Sequence, residues 1–499
     1  MIKNGIYFKI TMCFILTIFP GEIFSQKILT LNDAMEIAMK NSPAIIQSEL
    51  NMTISEENLK AQEAATKSYF ALQLTPFSYG QQRTFDTRSS SWYTSETKKV
   101  FGDLSVVQPI IKTDGKISLQ NHLEYQDANS GFSNTRSKGY NNNLYLTISQ
   151  PFFTYNKQKM QIDQLRLSLT NTTLSYSIQR LNLEQGVTQQ FYQLYKTLMS
   201  LNIAEEDFKS HKQSFEIIKS KVEGGLSAQS EMYQAEVDLA TSESNLQNQK
   251  LSLENMKDNF RQYIGMPINE DLEVKVDSTF VQVDVDLTSA VKNGLDTRLE
   301  LQQHDIAMTN MQFNLTVAKA TNAFKANVDL SLGLSGDSPD FQNIYQKPTR
   351  SPQVGLTLII PIWDWGQRKA GIKVAEANIK IEEINTANQR TSIELAIRQS
   401  YRSLLNLQSQ INIARKSVLN AELTYQINLE KYKNGDLTSK DLGQYLSQLS
   451  QAKQNIASSL INYKLELLNM KIQSLWDFEH NRSFVPEKYQ ANINPSQSK

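Results

Sequence analysis

The sequence predicts a mainly helical chain with membrane-type β-strands. Its long helices are expected to pack as coiled coils and to be built from two structural repeats. The strands, four or more per copy, are expected to close into a membrane β-barrel only with further copies, and three would supply enough for a channel. Three observations predict this. Pro151-Phe152-Phe153-Thr154-Tyr155-Asn156 returns as Pro361-Ile362-Trp363-Asp364-Trp365-Gly366, 210 residues later. Each copy follows a short alternating run and precedes a very long helical pattern. Gly (19) and Pro (12) are sparse among 499 residues, which favours long helices over an all-β fold. After the N-terminal stretch no segment reaches the roughly 18 consecutive apolar residues of a membrane helix, so any crossing must be made by strands.

The elements follow in order. Residues 1–25 have the pattern of a signal peptide: Lys3 and Lys9, an apolar run over 10–19, then Pro20-Gly21. Cys13 is the only cysteine and lies in that run, so the mature chain is expected to carry no disulfide, thiolate ligand or cysteine nucleophile. Residues 26–265 form the first repeat. Its opening helix, 31–67, starts at Leu-Asn-Asp with Glu36 three residues past Asp33. Residues 69–79 switch to period two, with Phe70, Leu72 and Leu74 against Ala71, Gln73 and Thr75. Residues 104–125 read as an extra hairpin turning at Asp114-Gly115. Residues 143–151 alternate again, with Leu144, Leu146 and Ile148 on one face. A helix over 157–222 is roughly 100 Å long and demands a partner along its length. Gly224-Gly225 breaks it, and a second helix runs over 227–263 to Gly265-Met266-Pro267. Residues 266–286 read as a linker.

The second repeat, 287–476, has the same order: helix 287–323, strands 327–335 and 353–361, helices 367–432 and 438–476. A polar tail, 477–499, is expected to be poorly ordered. Lys159/Lys369, Ile162/Ile372 and Gly225/Gly435 keep the 210 offset, whereas Ala34 and Ala290 are 256 apart. The first repeat is therefore longer by the difference, 46 residues, which places an insertion within 86–140. Leu404, Leu407, Ile411, Ala414, Val418, Ala421 and Tyr425 form a heptad seam. Off the seam the helices are rich in Gln, Asn, Ser and Thr, faces suited to water.

Four strands do not close a barrel, and open edges do not survive in lipid, so closure needs further copies. Alternation alone also suits a soluble sheet with one buried face. The leader and the Pro-aromatic junctions favour the membrane: Pro151, Phe153, Tyr155, Pro361, Trp363 and Trp365 sit where an interfacial aromatic girdle would lie.

The chain resembles the TolC family of outer-membrane efflux proteins over residues 31–476. The resemblance is carried by Val-Gly-Leu-Thr-Leu-Ile-Ile-Pro-Ile-Trp-Asp-Trp-Gly at 354–366, Tyr-Lys-Asn-Gly-Asp-Leu-Thr-Ser-Lys-Asp-Leu at 432–442 and Gly-Leu-Ser-Ala-Gln-Ser-Glu at 225–231, and above all by their ordered duplication. It implies a homotrimer whose long-helix α-barrel continues into a β-barrel in the cell outer membrane, in contact with its lipid and extending into the periplasm, with a periplasmic adaptor (membrane fusion) protein and an inner-membrane pump as partners. The implied function is an exit duct of a tripartite efflux or secretion system. Against the family pattern, the extra strands at 104–125 either enlarge the barrel or project as an extracellular hairpin; projection is the reading preferred from the sequence.

Expected site residues follow from the same comparison. In the family, acidic residues and a tyrosine at the helix-turn-helix tips hold the periplasmic entrance closed. The matching positions are Glu231, Tyr432 and Asp441, beside the tip turns at Gly225 and Gly435. The family's arginine falls on Leu437 and its second aspartate on Gln444, so the network is reduced here. A ring of such carboxylates would attract cations. Two plainer roles stay open: Thr438-x-x-Asp441 also reads as a capping box, and Tyr432 continues the seam seven residues after Tyr425. No catalytic, cofactor-binding or metal site is expected. His122, His211, His304 and His480 are scattered, and the sequence holds no phosphate loop and no nucleophile elbow. With 51 basic and 51 acidic residues, charge argues against a nucleic-acid partner. The alternatives from other classes are a periplasmic adaptor and a soluble coiled-coil scaffold.

Overall fold

The computed structural model describes residues 27–275 and 281–485. The expected leader lies outside the described residues, as do 276–280 of the expected linker and 486–499 of the expected tail. The described chain is mainly helical, with one six-stranded antiparallel sheet and two small two-stranded ones. It forms two compact units. Among the described residues, one unit holds 27–38, 187–275 and 417–458, and the other holds 39–186, 281–416 and 459–485.

The chain opens with β1 (Lys27–Leu29), α1 (Leu31–Asn41) and α2 (Pro43–Ala65). The start of α1 is closed by Thr30 and Asp33: the Thr30 hydroxyl donates to the Asp33 carboxylate at 2.6 Å, and the Asp33 amide donates back at 3.3 Å. The single helix expected over 31–67 is broken at Ser42, which is extended (φ −64°, ψ 122°). Pro43 is the reason, because proline pushes its predecessor out of the helical region and suits the first helical position.

Four strands follow: β2 (Tyr69–Asp86), β3 (Ser91–Ile110), β4 (Gly115–Ser130) and β5 (Thr135–Phe152). Then come α3 (Lys157–Glu223), α4 (Gln229–Ile264) and β6 (Leu272–Val274), which pairs parallel with β1. The second half contains α5 (Leu287–Thr297), α6 (Leu299–Ala320), β7 (Lys325–Ser338), β8 (Thr349–Ile359), α7 (Gln367–Asn434) and α8 (Ser439–Ser474). Two short strands, β9 (Trp476–Asp477) and β10 (Arg482–Ser483), close the described chain. The start of the expected tail is therefore folded: Phe484 and Val485 pack on Leu174, Leu181, Leu299 and Leu475.

Start for start, α3 and α4 map onto α7 and α8 at an offset of 210, and α1 and α2 map onto α5 and α6 at 256. The counterpart of the Ser42 break falls at Arg298 (φ −61°, ψ 127°), where no proline follows. There the guanidinium donates to the carbonyls of Ile472 and Gln473 at the end of α8, at 3.1 and 3.0 Å. It thus satisfies the last-turn acceptors of a neighbouring helix.

The large sheet runs β2-β3-β4-β5-β7-β8. The extra segment does not project. β3 pairs with β2 and with β4 along its length, and β4 pairs with β5 from Lys116 to Ser130. The expectation of a projecting hairpin at 104–125 is corrected for a physical reason: both strands carry the alternation of their neighbours, so each can bond on both sides. One face of the sheet carries Leu72, Leu104, Leu119, Leu146, Leu330 and Leu356, and the other carries Gln73, Asp103, His122, Asn143, Ser331 and Gly355. On the polar face His122 Nδ1 lies 2.6 Å from Asp103, and Lys99 donates to Glu124 at 3.0 Å.

Of the expected seam in α7, Leu404, Ile411 and Ala414 are buried and Leu407, Val418, Ala421 and Tyr425 are half-buried; upstream, the buried Ile393, Ile397 and Ser400 lead into it at spacings of four, three and four residues. Gly294 is required beside it: a Cβ there would stand 2.5 Å from Ile397 Cδ1 and 3.1 Å from the Gln473 carbonyl.

Candidate functional site

Two sets of positions were singled out by the sequence: the tip turns and the strand–helix junctions. At the first tip, α3 ends on Gly224-Gly225, with Gly225 left-handed (φ 76°), and the Leu226 amide donates to the Lys221 carbonyl at 2.8 Å. At the second, Gly435 is left-handed (φ 92°) and the Asp436 amide donates to the Lys431 carbonyl at 2.9 Å. Both are helix ends of the kind glycine permits, closed by a bond back across the turn.

Glu231 and Asp441 are counterparts, 210 apart, each in the first turn of its helix. Their partners differ because the residues before them differ. Thr438 caps α8: its hydroxyl donates to the Asp441 carboxylate at 2.7 Å and accepts the Asp441 amide at 3.2 Å. The counterpart of Thr438 is Ala228, which has no side-chain oxygen. Glu231 reaches instead to the other tip and accepts the Ser439 amide at 2.9 Å. The α8 start thereby gains a carboxylate against its exposed amides.

Tyr432 is 1 % exposed. It sits in a cluster with Ile218, Ala235 and Leu442. Its hydroxyl donates to the Ser214 carbonyl at 3.1 Å, and burial pushes its pKa up. The Lys221 ammonium donates to the Tyr432 carbonyl and lies 5.0 Å from the ring centroid. All three expected gate residues therefore stand within one unit, at two adjoining turns. Tyr432 is packed, Asp441 completes a cap and Glu231 ties one tip to the other.

The junctions are the second set. After β5, Pro151 still pairs with Asn327, Phe153 turns left-handed (φ 58°), and its ring meets Phe324 at 5.2 Å. Tyr155 is half-buried, and Asn156 accepts the Lys159 amide at 2.8 Å to begin α3. After β8, Pro361 is exposed and Trp363 and Trp365 meet edge to face at 5.6 Å. Trp365 is left-handed (φ 53°) and 90 % exposed. Asp364 accepts the Gly366 and Arg368 amides at 2.9 and 3.0 Å, and the Arg368 amide first, then that of Gly366, hold its carboxyl below the usual carboxylate range.

One contact at the first junction has no signal in the local sequence. The turn of the inserted hairpin docks on the start of α3, where Asp114 accepts the Gln158 amide at 3.1 Å and Asn156 donates to the Ile111 carbonyl at 2.5 Å. A second grouping, Asp477, Glu479 and His480, brings together side chains of the metal-ligating type. The Lys471 ammonium already sits among them, 3.0 Å from Asp477 and bonded to Glu479, so the geometry is that of an ion-pair network.

Residues 109–266 and 295–469 match the model of a family described as outer membrane efflux protein. The cation efflux system protein CusC of Escherichia coli is 22% identical over 262 residues, 51% of this chain and 55% of that protein. The chain thus spans little more than half the length of that relative. The outer membrane protein TolC of Escherichia coli is 21% identical over 363 residues, 70% of this chain and 71% of that protein. Among solved structures, the Campylobacter jejuni CmeC outer membrane channel is similar with a TM-score of 0.68 at 15% identity, covering 94% of this chain and 89% of that one. The open state of the Neisseria gonorrhoeae MtrE outer membrane channel is similar with a TM-score of 0.64 at 13% identity, covering 89% and 88%.

Proposed function

We propose, because this chain belongs to the outer membrane efflux protein family, that three copies form a passive exit duct of the outer membrane, through which cargo leaves the periplasm. The observation that carries the proposal is the large sheet. One face is apolar and exposed, the other is polar, and its first and last strands each have a free edge. Such a sheet is stable in lipid only when its edges are closed and its apolar face meets hydrocarbon. The repeats at 26–265 and 287–476, joined by 266–286, supply the strands and the helices that continue from them.

The duct performs no chemistry. The sequence holds no phosphate-binding loop, so energy comes from partners: an inner-membrane pump, with a periplasmic adaptor docking at the helical end. The tips carrying Gly225 and Gly435 form the periplasmic entrance, with Glu231, Tyr432 and Asp441 at its rim. The aromatic residues of the two junctions lie at the periplasmic face of the outer membrane, where lipid meets water. A periplasmic adaptor is the weaker reading, since it has no use for a broad sheet with a bare apolar face.

The test is membrane fractionation followed by planar-bilayer recording of the purified protein. Heat-resistant trimers in the outer-membrane fraction that conduct ions without added nucleotide are expected. Soluble monomers that leave bilayers sealed would overturn the duct.

A further inference from the structure

We propose that β8 of one copy pairs antiparallel with β2 of the next, in a register dictated by the chain's own repeat, so that three six-stranded copies close a barrel of 18 strands. The proposal rests on the trimeric duct above and specifies how it closes. Inside the chain the two repeats meet where β5 pairs with β7: Phe152 with Ala326, Gln150 with Val328, Ile148 with Leu330 and Thr147 with Ser331. At 210 residues the counterpart of β5 is β8, and at 256 the counterpart of β7 is β2. Carrying the pairs over sets Ile362 against Phe70 of the next copy, Ile360 against Leu72, Leu358 against Leu74 and Thr357 against Thr75.

This register passes a check that a one-residue slip would fail. Leu358 and Leu74 both lie on the apolar face, and Thr357 and Thr75 both lie on the polar one. Two further observations point to a missing neighbour. β5 runs on to Phe152, the counterpart of Ile362, yet β8 stops at Ile359, so residues 360–362 have a strand's place in the repeat but no strand beside them. Val354 on β8 is 80 % exposed, whereas its counterpart Leu144 on β5, which has β4 on one side and β7 on the other, is half-buried.

The inserted strands β3 and β4 are bonded on both sides and count toward the ring. Barrel diameter grows roughly linearly with strand number, so the mouth is about half again as wide as four-stranded copies would make it, and it is lined by the polar face that carries Lys99, Asp103, His122 and Glu124.

The test uses the full chain with Cys13, its only cysteine, replaced by serine. Thr75→Cys combined with Thr357→Cys is expected to give disulfide-linked species up to a covalent trimer under mild oxidation. Each single variant, and Thr75→Cys with Gln353→Cys four residues along β8, is expected to stay unlinked. Trimers in which the Gln353 pair links and the Thr357 pair does not would overturn the register and leave the duct standing; absence of any trimer would defeat the duct itself. A second variant lacks residues 91–134, which joins β2 to β5 with inward and outward faces preserved. Polyethylene glycols added on the strand-loop side should be excluded from it at roughly two-thirds of the size excluded by the intact channel. Equal thresholds would overturn the 18-stranded ring.

Discussion

Tyr432 shows how one side chain serves the tip. Its ring fills the cluster between the two turns, and its hydroxyl satisfies a carbonyl that already belongs to a helix. Tyr432→Phe is expected to cost about 1 kcal/mol, the net worth of one hydrogen bond, and Tyr432→Ala about 3–5 kcal/mol, a large aromatic lost from a packed site; urea unfolding separates the two. Asp441 has two candidate roles, and a pair of variants splits them. Thr438→Ala removes the cap at about 1 kcal/mol but keeps every carboxylate. Asp441→Asn removes the charge. If the rim gathers cations, block by divalent ions in single-channel recordings should weaken in Asp441→Asn and stay unchanged in Thr438→Ala; equal block in both takes Asp441 out of the gate. The sequence pattern already held the capping box and the left-handed glycines, because both are local. That Glu231 crosses to Ser439 was not legible, since the bond joins residues 208 apart.

Helices α3 and α7 differ in how they carry charge and seam. Glu184 in α3 is half-buried, and its partial desolvation pushes its pKa up against the pull of Arg180 and Lys471, with Asp477 pushing the same way. A carboxyl raised in the folded state adds full stability below its ordinary pKa and loses it as pH rises through that value toward the raised one. Glu184→Gln is therefore expected to unfold at a higher temperature near neutral pH and to flatten the pH dependence above the ordinary glutamate range, which a melting series across pH would read. On α7, Ile411 is fully buried in the seam and Ile413 is 64 % exposed. Ile411→Ala should cost about 2–5 kcal/mol by leaving a cavity, and Ile413→Ala should leave the stability of a single copy nearly unchanged in denaturant titrations. The seam was visible in the sequence as a heptad. The break at Ser42 had a local signal in Pro43 that the helical periodicity outweighed, whereas the break at Arg298 has none, because carbonyls of Ile472 and Gln473 hold it. The strands run past the alternating apolar segments for a similar reason: β2 continues through Gln81, Gln82 and Arg83 by pairing with β3, not by burying side chains.

For the whole molecule, the two faces of the sheet make the sharpest demand. Leu330 lies on the apolar face and Ser331 on the polar one. If the sheet closes in lipid, Leu330→Arg should cost about 2–4 kcal/mol near mid-membrane and Ser331→Arg little. Refolding into phospholipid vesicles, followed by the heat-modified gel shift, measures both. Equal penalties would place the sheet in water or protein and remove the barrel.

By itself the sequence determined the duplication, the mainly helical class with strands of alternating face, the glycine turns and the coiled-coil seam. Each is written in spacings of a few residues or in a fixed offset, and backbone geometry converts such spacings directly into structure. Only the tertiary structure decided that the inserted strands join the sheet, that the turn at Asp114 seats on the start of α3, that Glu231 bridges two tips and that Tyr432 is packed away from water. These depend on which distant backbone supplies the partner for a free amide, carbonyl or apolar face. Several partners satisfy the same local pattern, and the choice among them is made by packing.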